Sequence, residues 1–353
     1  MTDTGDILFS ERGPLAEVML NRPKALNSLT LEMIRAFDPR LAAWAVDDAV
    51  KAVVVRGEAE KAFCAGGDIR AIWEAGKAGG ALTADFFREE YGLNRRIHVF
   101  DKPYVALIDG ITMGGGVGVS VHGSHRVAGD RTVFAMPETA IGFFPDVGAT
   151  WVLPRLPGAI GVYMALTGAR LKAADCVYAG LATHYVPGAR MGEVPDALAA
   201  ADWSGEAHAA VDAVLAELAG DPGPAPLAEV REAIDRCFSR DSVEAVVAAL
   251  EREGGAWAEG TLETMRARSP TSMKLALRAV RAGGRQSFDE CMTMEYRISQ
   301  AVMAGHDFFE GVRALIVDKD QAPQWRPARI EDVDDAEIES YFRPLGERDL
   351  AFA

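Results

Sequence analysis

Two carboxylates, Glu138 and Asp146, are the side chains of this sequence best suited to acid–base or nucleophilic chemistry. Both stand in the apolar segment FAMPETAIGFFPD. Apolar surroundings desolvate a carboxylate and raise its basicity. Two such groups that face one pocket can transfer protons or attack an acyl carbon. A lone glutamate is more often a solvated surface residue, so this interpretation depends on what the rest of the chain places nearby.

Two glycine turns could supply backbone N–H hydrogen-bond donors in addition to these acids. GGG at 114–116 follows a predicted strand and opens a predicted helix, and AGGD at 65–68 also follows a strand. Close packing explains either turn alone, because glycine makes room for neighbouring backbone. Together they can supply the two convergent N–H groups of an oxyanion hole. The spacing does not match the dinucleotide-binding pattern GxGxxG.

Other chemical motifs are weak. His122 and His125 have an i, i+3 spacing but lack a third ligand, so we expect no metal site. Cys64 adjoins a glycine turn without an obvious histidine partner, which favours a packing role. No GxSxG motif is present, and this argues against a serine esterase.

Strand and helix signals alternate through the first half of the chain. ILFSE and AEVML predict a hairpin, and VKAVVVR (50–56) and KPYVALI (102–108) predict buried strands. A helix is expected after Thr30, with a kink or break at Pro39, and another over 114–121. Beyond about residue 190 only helical patterns occur, before an extended tail. We therefore predict an α/β fold with a core at 1–190 and a helical C-terminal region at 191–353.

Composition narrows the class of protein. The 353 residues carry a formal net charge of −15, which argues against nucleic-acid binding. The sequence contains no run of 18 apolar residues, so we expect no membrane span. Its first residues do not resemble a secretory signal. The four cysteines are scattered without a CxxC pair, as is typical of reduced core residues. A cytoplasmic protein is expected.

Several of these segments resemble one known family. NRPKALNSLT, KAFCAGGDI, GITMGGGVGVSVHG and MPETAIGFFPDVGATWVLPRLPG are similar to the crotonase (enoyl-CoA hydratase/isomerase) superfamily over roughly residues 6–190. PETAIGFFPDVG, SPTSMKLALR (269–278) and DFFEGVRALIVDKDQAPQW (307–325) resemble its 3-hydroxyisobutyryl-CoA hydrolase branch. The resemblance implies a crotonase-like spiral of ββα units with a helical C-terminal region.

The resemblance also implies a site for acyl-CoA. Gly67 and Gly115 would supply the two N–H groups that hold the thioester oxygen. The residues expected along the CoA moiety are Ala25, Leu26, Ala65, Gly66, Asp68, Ile69 and Gly114. CoA is then part of the substrate, and no separate cofactor is expected. Members of the superfamily often form trimers or hexamers, so a homo-oligomer is among the partners that the resemblance allows.

One departure separates the branches of the superfamily. Hydratases carry a glutamate just after the triple glycine and a second one at the position of Glu138, but here the first position is Gly118. The hydrolase branch has a glutamate at the position of Glu138 and an aspartate at the position of Asp146, and this sequence has both. The leading hypothesis is therefore hydrolysis of a short-chain acyl-CoA, most of all 3-hydroxyisobutyryl-CoA in valine catabolism. A hydratase or isomerase that uses Glu138 alone is the alternative. A binding or scaffold protein without turnover is a third.

Overall fold

The fold is described from a computed structural model that covers residues 5–59, 61–80 and 82–352. The chain forms two compact units, each assembled from three segments. Unit 1 comprises Met1–Gly67, Gly92–Phe134 and Leu171–Leu227, and unit 2 comprises Asp68–Tyr91, Ala135–Arg170 and Ala228–Ala353. The boundary predicted at residue 190 stays a prediction.

The strands form two sheets. The nine strands are β1 Ile7–Arg12, β2 Leu15–Leu20, β3 Ala52–Gly57, β4 Ala62–Cys64, β5 Tyr104–Leu107, β6 Ile111–Met113, β7 His125–Ala128, β8 Val133–Ala135 and β9 His184–Tyr185. The larger sheet has the order β1-β2-β3-β5-β7-β9, and the smaller one has the order β4-β6-β8. The predicted hairpin is the antiparallel pair β1–β2, and the strands that follow in the larger sheet are parallel.

The sheet order shows a spiral. Successive turns each give one strand to the larger sheet and the next to the smaller one, as β3 and β4, β5 and β6, and β7 and β8 do. Parallel neighbours require crossover connections, which the intervening helices and loops supply. The buried strands predicted from VKAVVVR and KPYVALI are confirmed as β3 and β5. The short strands predicted at Arg126–Ala128 and Thr132–Ala135 correspond to β7 and β8, whereas the three-residue strands β4 and β6 were not predicted.

Eighteen helices are described, several of them only one turn long. They are α1 Leu31–Val46, α2 Ile69–Lys77, α3 Leu82–His98, α4 Gly115–Gly118, α5 Ala149–Val152, α6 Ile160–Thr167, α7 Ala173–Tyr178, α8 Gly188–Met191, α9 Val194–Ala199, α10 Ala207–Leu218, α11 Pro226–Glu229, α12 Arg231–Phe238, α13 Val243–Glu253, α14 Gly255–Arg266, α15 Pro270–Gly283, α16 Phe288–Val302, α17 Asp307–Val312 and α18 Asp335–Ser340. Shorter 3-10 helices include Pro23–Ala25 and Glu138–Ile141.

The structure changes two helix predictions. Of the kink or break expected at Pro39, the break is wrong, because α1 continues through that residue as one helix. Pro39 lies on the exposed side, where water can satisfy the carbonyl that loses its partner, while Phe37, Leu41 and Trp44 anchor the buried side. The helix expected over 114–121 ends at Gly118 as the single turn α4, since its four residues include three glycines, which have low helix propensity.

The core of unit 1 lies between the larger sheet and two helices. Val54 on β3, Val105 on β5 and Val127 on β7 pack in one cluster with Leu198 of α9 and Leu215 of α10. The helices therefore cover one face of the sheet. The glycine turns follow β4 and β6 of the smaller sheet.

The C-terminal half is helical, as predicted: no strand occurs after β9 in the residues that the structure describes. Serine caps define several helix starts, including Ser269 for α15 and a capping box of Ser287 and Glu290 for α16. The tail is not wholly extended, because α18 buries Ile338. Among the described helices, none is both long enough and apolar enough to cross a membrane.

Candidate active site

Glu138 begins a 3-10 helix in unit 2, and the residue is 5% exposed. The turn is held at two points: the Phe143 N–H donates to the Glu138 carbonyl (3.0 Å), and the Ser269 N–H donates to the Thr139 carbonyl (3.1 Å). Among the described residues, the carboxylate oxygen Oε2 of Glu138 has no hydrogen-bond partner. A buried carboxylate oxygen without a partner is free to accept a proton or to attack a bound molecule.

Asp146 also lies in unit 2 and is 5% exposed. The Tyr91 hydroxyl, on α3, donates a hydrogen bond to its Oδ2 atom at 2.7 Å. Burial raises the pKa of Asp146 to about 7, although the Tyr91 hydrogen bond opposes that rise. Burial, together with the negative charge of Asp146, raises the pKa of Glu138 well above its ordinary value. The two predicted acids therefore interact electrostatically, and both have the raised basicity that the sequence suggested.

Two further carboxylates, which sequence reasoning missed, belong to the same buried group of acids. Glu90 on α3 and Glu295 on α16 are 2% and 0% exposed. Burial and the Asp146 charge raise the pKa of Glu90, and burial raises the pKa of Glu295 to about 8. A signal was available for both, because each carboxylate stands within the apolar stripe of an amphipathic helix.

The glycine turns of unit 1 differ in what each glycine does. Gly66 and Gly114 have φ values of 116° and 49°, which favour glycine. A Cβ at Gly116 would overlap the Cys64 carbonyl group, so this glycine allows α4 to approach β4 closely. A Cβ at Gly66 would lie 3.8 Å from the Gly115 nitrogen. The two turns therefore meet, as an oxyanion hole requires.

Two N–H groups remain unused at that meeting point. Neither the Gly67 nitrogen nor the Gly115 nitrogen donates a hydrogen bond to another described residue. Gly67 pairs with Leu29 through a bridge in which the Leu29 N–H donates to the Gly66 carbonyl at 2.8 Å. That bridge fixes the turn without consuming the Gly67 N–H. The arrangement can therefore offer two donors to a ligand oxygen.

The residues expected along CoA divide between the units. In unit 1, the Ala65 N–H donates to the Leu26 carbonyl at 3.0 Å, so these two predicted residues are neighbours, and Ala25 adjoins them. Asp68 and Ile69 belong to unit 2 at the start of α2. There the Asp68 side chain accepts from the Ala71 N–H at 3.2 Å as a helix cap. Asp68 thus has a structural role that its sequence position alone did not show.

Asn27 is a further residue that sequence reasoning missed. It is fully buried in unit 1, and its amide donates to the Glu58 carbonyl (2.9 Å) and the Ala62 carbonyl (2.8 Å). Its side-chain oxygen accepts from the Arg22 N–H at 2.9 Å. Leu26 and Asn27 both have positive φ, so the loop needs such an anchor. Asn27 therefore positions the loop that carries Ala25 and Leu26.

Histidine and cysteine form no metal site in the described ranges, where no group of three or more His, Cys, Asp or Glu residues could hold an ion. His125 contacts Asp212 through Nε2 (3.1 Å) and stacks on His184 with ring centroids 5.9 Å apart. Burial lowers the pKa of His125. All four cysteines are buried and free, as expected for reduced core residues.

A family profile described as "Enoyl-CoA hydratase/isomerase" matches residues 15–342. The chain belongs to the enoyl-CoA hydratase/isomerase family. Two solved structures have the same fold as this family member. One, described as a carnitinyl-CoA dehydratase from Mycobacterium thermoresistibile, has a TM-score of 0.92 at 43% identity over 98% of each chain. The other, described as an enoyl-CoA hydratase from Rhodobacter sphaeroides 2.4.1, has a TM-score of 0.88 at 38% identity over 98% of this chain and 100% of that one.

Curated relatives are more similar in sequence. A protein of Xenopus tropicalis named "3-hydroxyisobutyryl-CoA hydrolase, mitochondrial" is 50% identical over 98% of this chain and 91% of its own length. The protein of the same name from Homo sapiens is 47% identical over 98% of this chain and 91% of its own length. The predicted family and hydrolase branch are confirmed by these likenesses, and the crotonase-like fold by the solved structures.

Proposed function

We propose that this family member hydrolyses a short-chain acyl-CoA thioester, with 3-hydroxyisobutyryl-CoA as the expected substrate and 3-hydroxyisobutyrate and CoA as products. One observation carries the proposal: Glu138 and Asp146 are buried together in unit 2, whereas residue 118, in α4, is a glycine. The relatives named 3-hydroxyisobutyryl-CoA hydrolase support the same reaction. With 3-hydroxyisobutyryl-CoA as its substrate, the enzyme acts in valine catabolism.

The Gly67 and Gly115 N–H groups act as the oxyanion hole in this proposal. Water, or Glu138 in a first step, adds to the thioester carbonyl carbon, and the carbonyl oxygen gains negative charge. Two N–H donors stabilise that charge, and removing one such donor typically costs about 10²–10³-fold in rate. The C–S bond then breaks, and CoA leaves as a thiolate that takes up a proton. Because a thiolate leaves readily, a strong general acid is not required.

Glu138 is the base or the nucleophile. As a base it takes a proton from the attacking water, and as a nucleophile it forms an anhydride that water then opens. Its unpartnered Oε2 atom suits both roles. Asp146 accepts a hydrogen bond from the substrate 3-hydroxyl or orients the water. With Oδ2 bonded to Tyr91, its other oxygen serves this purpose.

The remaining parts of the proposal concern binding and location. Residues Ala25, Leu26, Ala65, Gly66, Asp68, Ile69 and Gly114 bind the CoA moiety, and no separate cofactor takes part. A homo-oligomer is proposed by analogy with the superfamily, and size-exclusion chromatography with light scattering tests it. A cytoplasmic location is part of the proposal, and the four buried, free thiols support a reducing compartment. The relatives are named mitochondrial, so cell fractionation decides the compartment.

A hydratase or isomerase is the second candidate. The names of the two solved structures favour it, since one is described as a dehydratase and the other as a hydratase. Adding water across a double bond uses an acid and a base around one water molecule. Gly118 has no side chain to supply the second group, which leaves a reaction that depends on Glu138 alone.

A substrate panel tests the proposed reaction. Free-thiol release is measured with 3-hydroxyisobutyryl-CoA, with isobutyryl-CoA, which lacks only the hydroxyl group, and with acetyl-CoA. The proposal expects the highest kcat/KM for the hydroxylated substrate, because a buried carboxylate such as Asp146 can bond that hydroxyl. Tight binding of all three thioesters without thiol release would instead support a binding protein.

A further inference from the structure

Asp146 is held on two sides by residues for which no role has been assigned above. One residue contacts the Asp146 carboxylate, and the other contacts the backbone turn that follows Asp146. Both contacts lie within unit 2. They are therefore independent of where the glycine turns of unit 1 lie.

Tyr91 holds the carboxylate. Its ring is fully buried and packs edge-on against Tyr296 at 6.5 Å and at a tilt against Phe87 at 6.0 Å between ring centroids. These neighbours fix the direction of its hydroxyl, which lies 2.7 Å from Asp146 Oδ2. A short hydrogen bond to an ionised acceptor is both strong and directional. Tyr91 thus sets the rotamer of Asp146.

Glu295 holds the turn. Its fully buried carboxylate accepts hydrogen bonds from the Gly148 N–H (2.7 Å), the Thr150 N–H (3.0 Å) and the Thr150 hydroxyl (2.6 Å). The turn needs such an anchor, because Val147 has a φ of 53°, which is uncommon for a β-branched residue. The helix that follows, α5, has no side-chain cap of its own. Glu295 thus fixes the backbone on which Asp146 is mounted.

We propose that Tyr91 and Glu295 are positioning residues that hold Asp146 for thioester hydrolysis. The inference rests on the proposed function, because it assigns no chemistry of its own. The titratable groups whose pKa the Asp146 charge raises are Tyr91 and Glu90 on α3, Glu138 in its 3-10 helix and Glu295 on α16. Of these groups, Tyr91 donates a hydrogen bond to Asp146, so removing the Tyr91 hydroxyl acts on Asp146 directly.

Tyr91→Phe tests the first contact. Losing a hydrogen bond to a charged group lowers kcat for thiol release by about 10-fold or more, with little change in KM. The acid limb of the pH–kcat profile moves to higher pH, because the phenol hydrogen bond favours the ionised carboxylate. Tyr104→Phe is the matched control: that hydroxyl is also fully buried and donates to the Val119 carbonyl at 2.7 Å. The control leaves the acid limb at its wild-type position.

Glu295→Gln tests the second contact, and it also serves if Tyr91→Phe does not fold. Glutamine keeps the size of the side chain but presents an NH₂ group, so one of the three donors loses its acceptor. We expect a fall in kcat that exceeds any rise in KM. If both variants keep the wild-type kcat and the wild-type acid limb of the pH–kcat profile, the proposal is overturned.

A second readout separates this inference from the proposed function. Carbon-13 NMR of the aspartate carboxylates, with the Asp146 signal assigned through Asp146→Asn, follows its titration without any substrate. The expected result is a higher titration midpoint in Tyr91→Phe than in wild type. Wild-type protein that releases no thiol contradicts the proposed function, whereas an unmoved Asp146 midpoint contradicts the positioning role.

Discussion

At the scale of single residues, the candidate chemistry depends on carboxylates that the fold removes from water. The sequence marked Glu138 and Asp146 because they stand in an apolar motif, and both are buried in unit 2. Tyr91, Asn27 and Glu295 were not found from the sequence. Their partners lie between five and 147 positions away along the chain, and no local spacing encodes such contacts.

Glu138→Gln is the first prediction at this scale. The amide keeps the shape of the side chain but can neither take a proton nor attack the thioester, so kcat for thiol release falls by about 10²–10⁴-fold. Steady-state kinetics with 3-hydroxyisobutyryl-CoA measure the change, and thermal unfolding checks that the variant is folded. Release of CoA at a near-wild-type rate would show that Glu138 has no chemical role.

The pH dependence of the wild-type rate is a second prediction. Hydrolysis requires ionised acids, and burial raises the pKa of Asp146 to about 7 and that of Glu138 above its ordinary value. Activity is therefore full above these pKa values and falls as the pH drops through them. An ordinary glutamate would titrate at about 4.3. A profile of kcat/KM that stays flat down to about pH 5 would contradict a role for the ionised pair.

At the scale of elements, regular patterns were predictable and close approaches were not. The β-branched run AVVVRG became β3, because a strand with neighbours on both sides is apolar throughout. β4 and β6 have only three residues each and were missed. The triple glycine predicted a turn before a helix, but the contact of Gly116 with β4 could only come from the structure.

Gly116→Ala is the prediction for this contact. Its Cβ would overlap the Cys64 carbonyl, so α4 and β4 must move apart, and overpacking of this kind costs about 1–3 kcal/mol in the free energy of unfolding. Urea denaturation measures that loss. Gly260→Ala in α14 is the matched control, because a Cβ there meets no atom within 4 Å. Alanine in an open helix position instead stabilises by about 0.4–1 kcal/mol.

The contact between β7 and α10 gives a prediction for stability. Burial lowers the pKa of His125 in the folded protein, and Asp212 opposes this only in part. The unfolded chain therefore binds a proton more readily, and His125 removes stability as the pH falls below its unfolded pKa of about 6.5. In His125→Gln, the free energy of unfolding at about pH 5.5, relative to its value at about pH 7.5, is therefore higher than in wild type. An equal change in both proteins would show that His125 does not contribute.

At the scale of the whole molecule, the alternating strand and helix signals, which end near residue 190, predicted the α/β class and the helical C-terminal region. The crotonase-like spiral was implied by the family resemblance, and these predictions are confirmed. The sequence did not predict that each compact unit is assembled from three separate segments. Such an assembly depends on long-range packing, which local patterns do not encode. The glycine turns belong to unit 1 and the carboxylates to unit 2.

The central claim is that this protein cleaves a thioester and does not hydrate an alkene. The most direct measurement compares kcat/KM for thiol release from 3-hydroxyisobutyryl-CoA with kcat/KM for hydration of crotonyl-CoA, using one preparation of the wild-type enzyme. Because Gly118 supplies no second acid, we predict that thiol release exceeds hydration by about 10²-fold or more, the contribution of one acid–base group. Hydration of crotonyl-CoA that is faster than thiol release would contradict the claim.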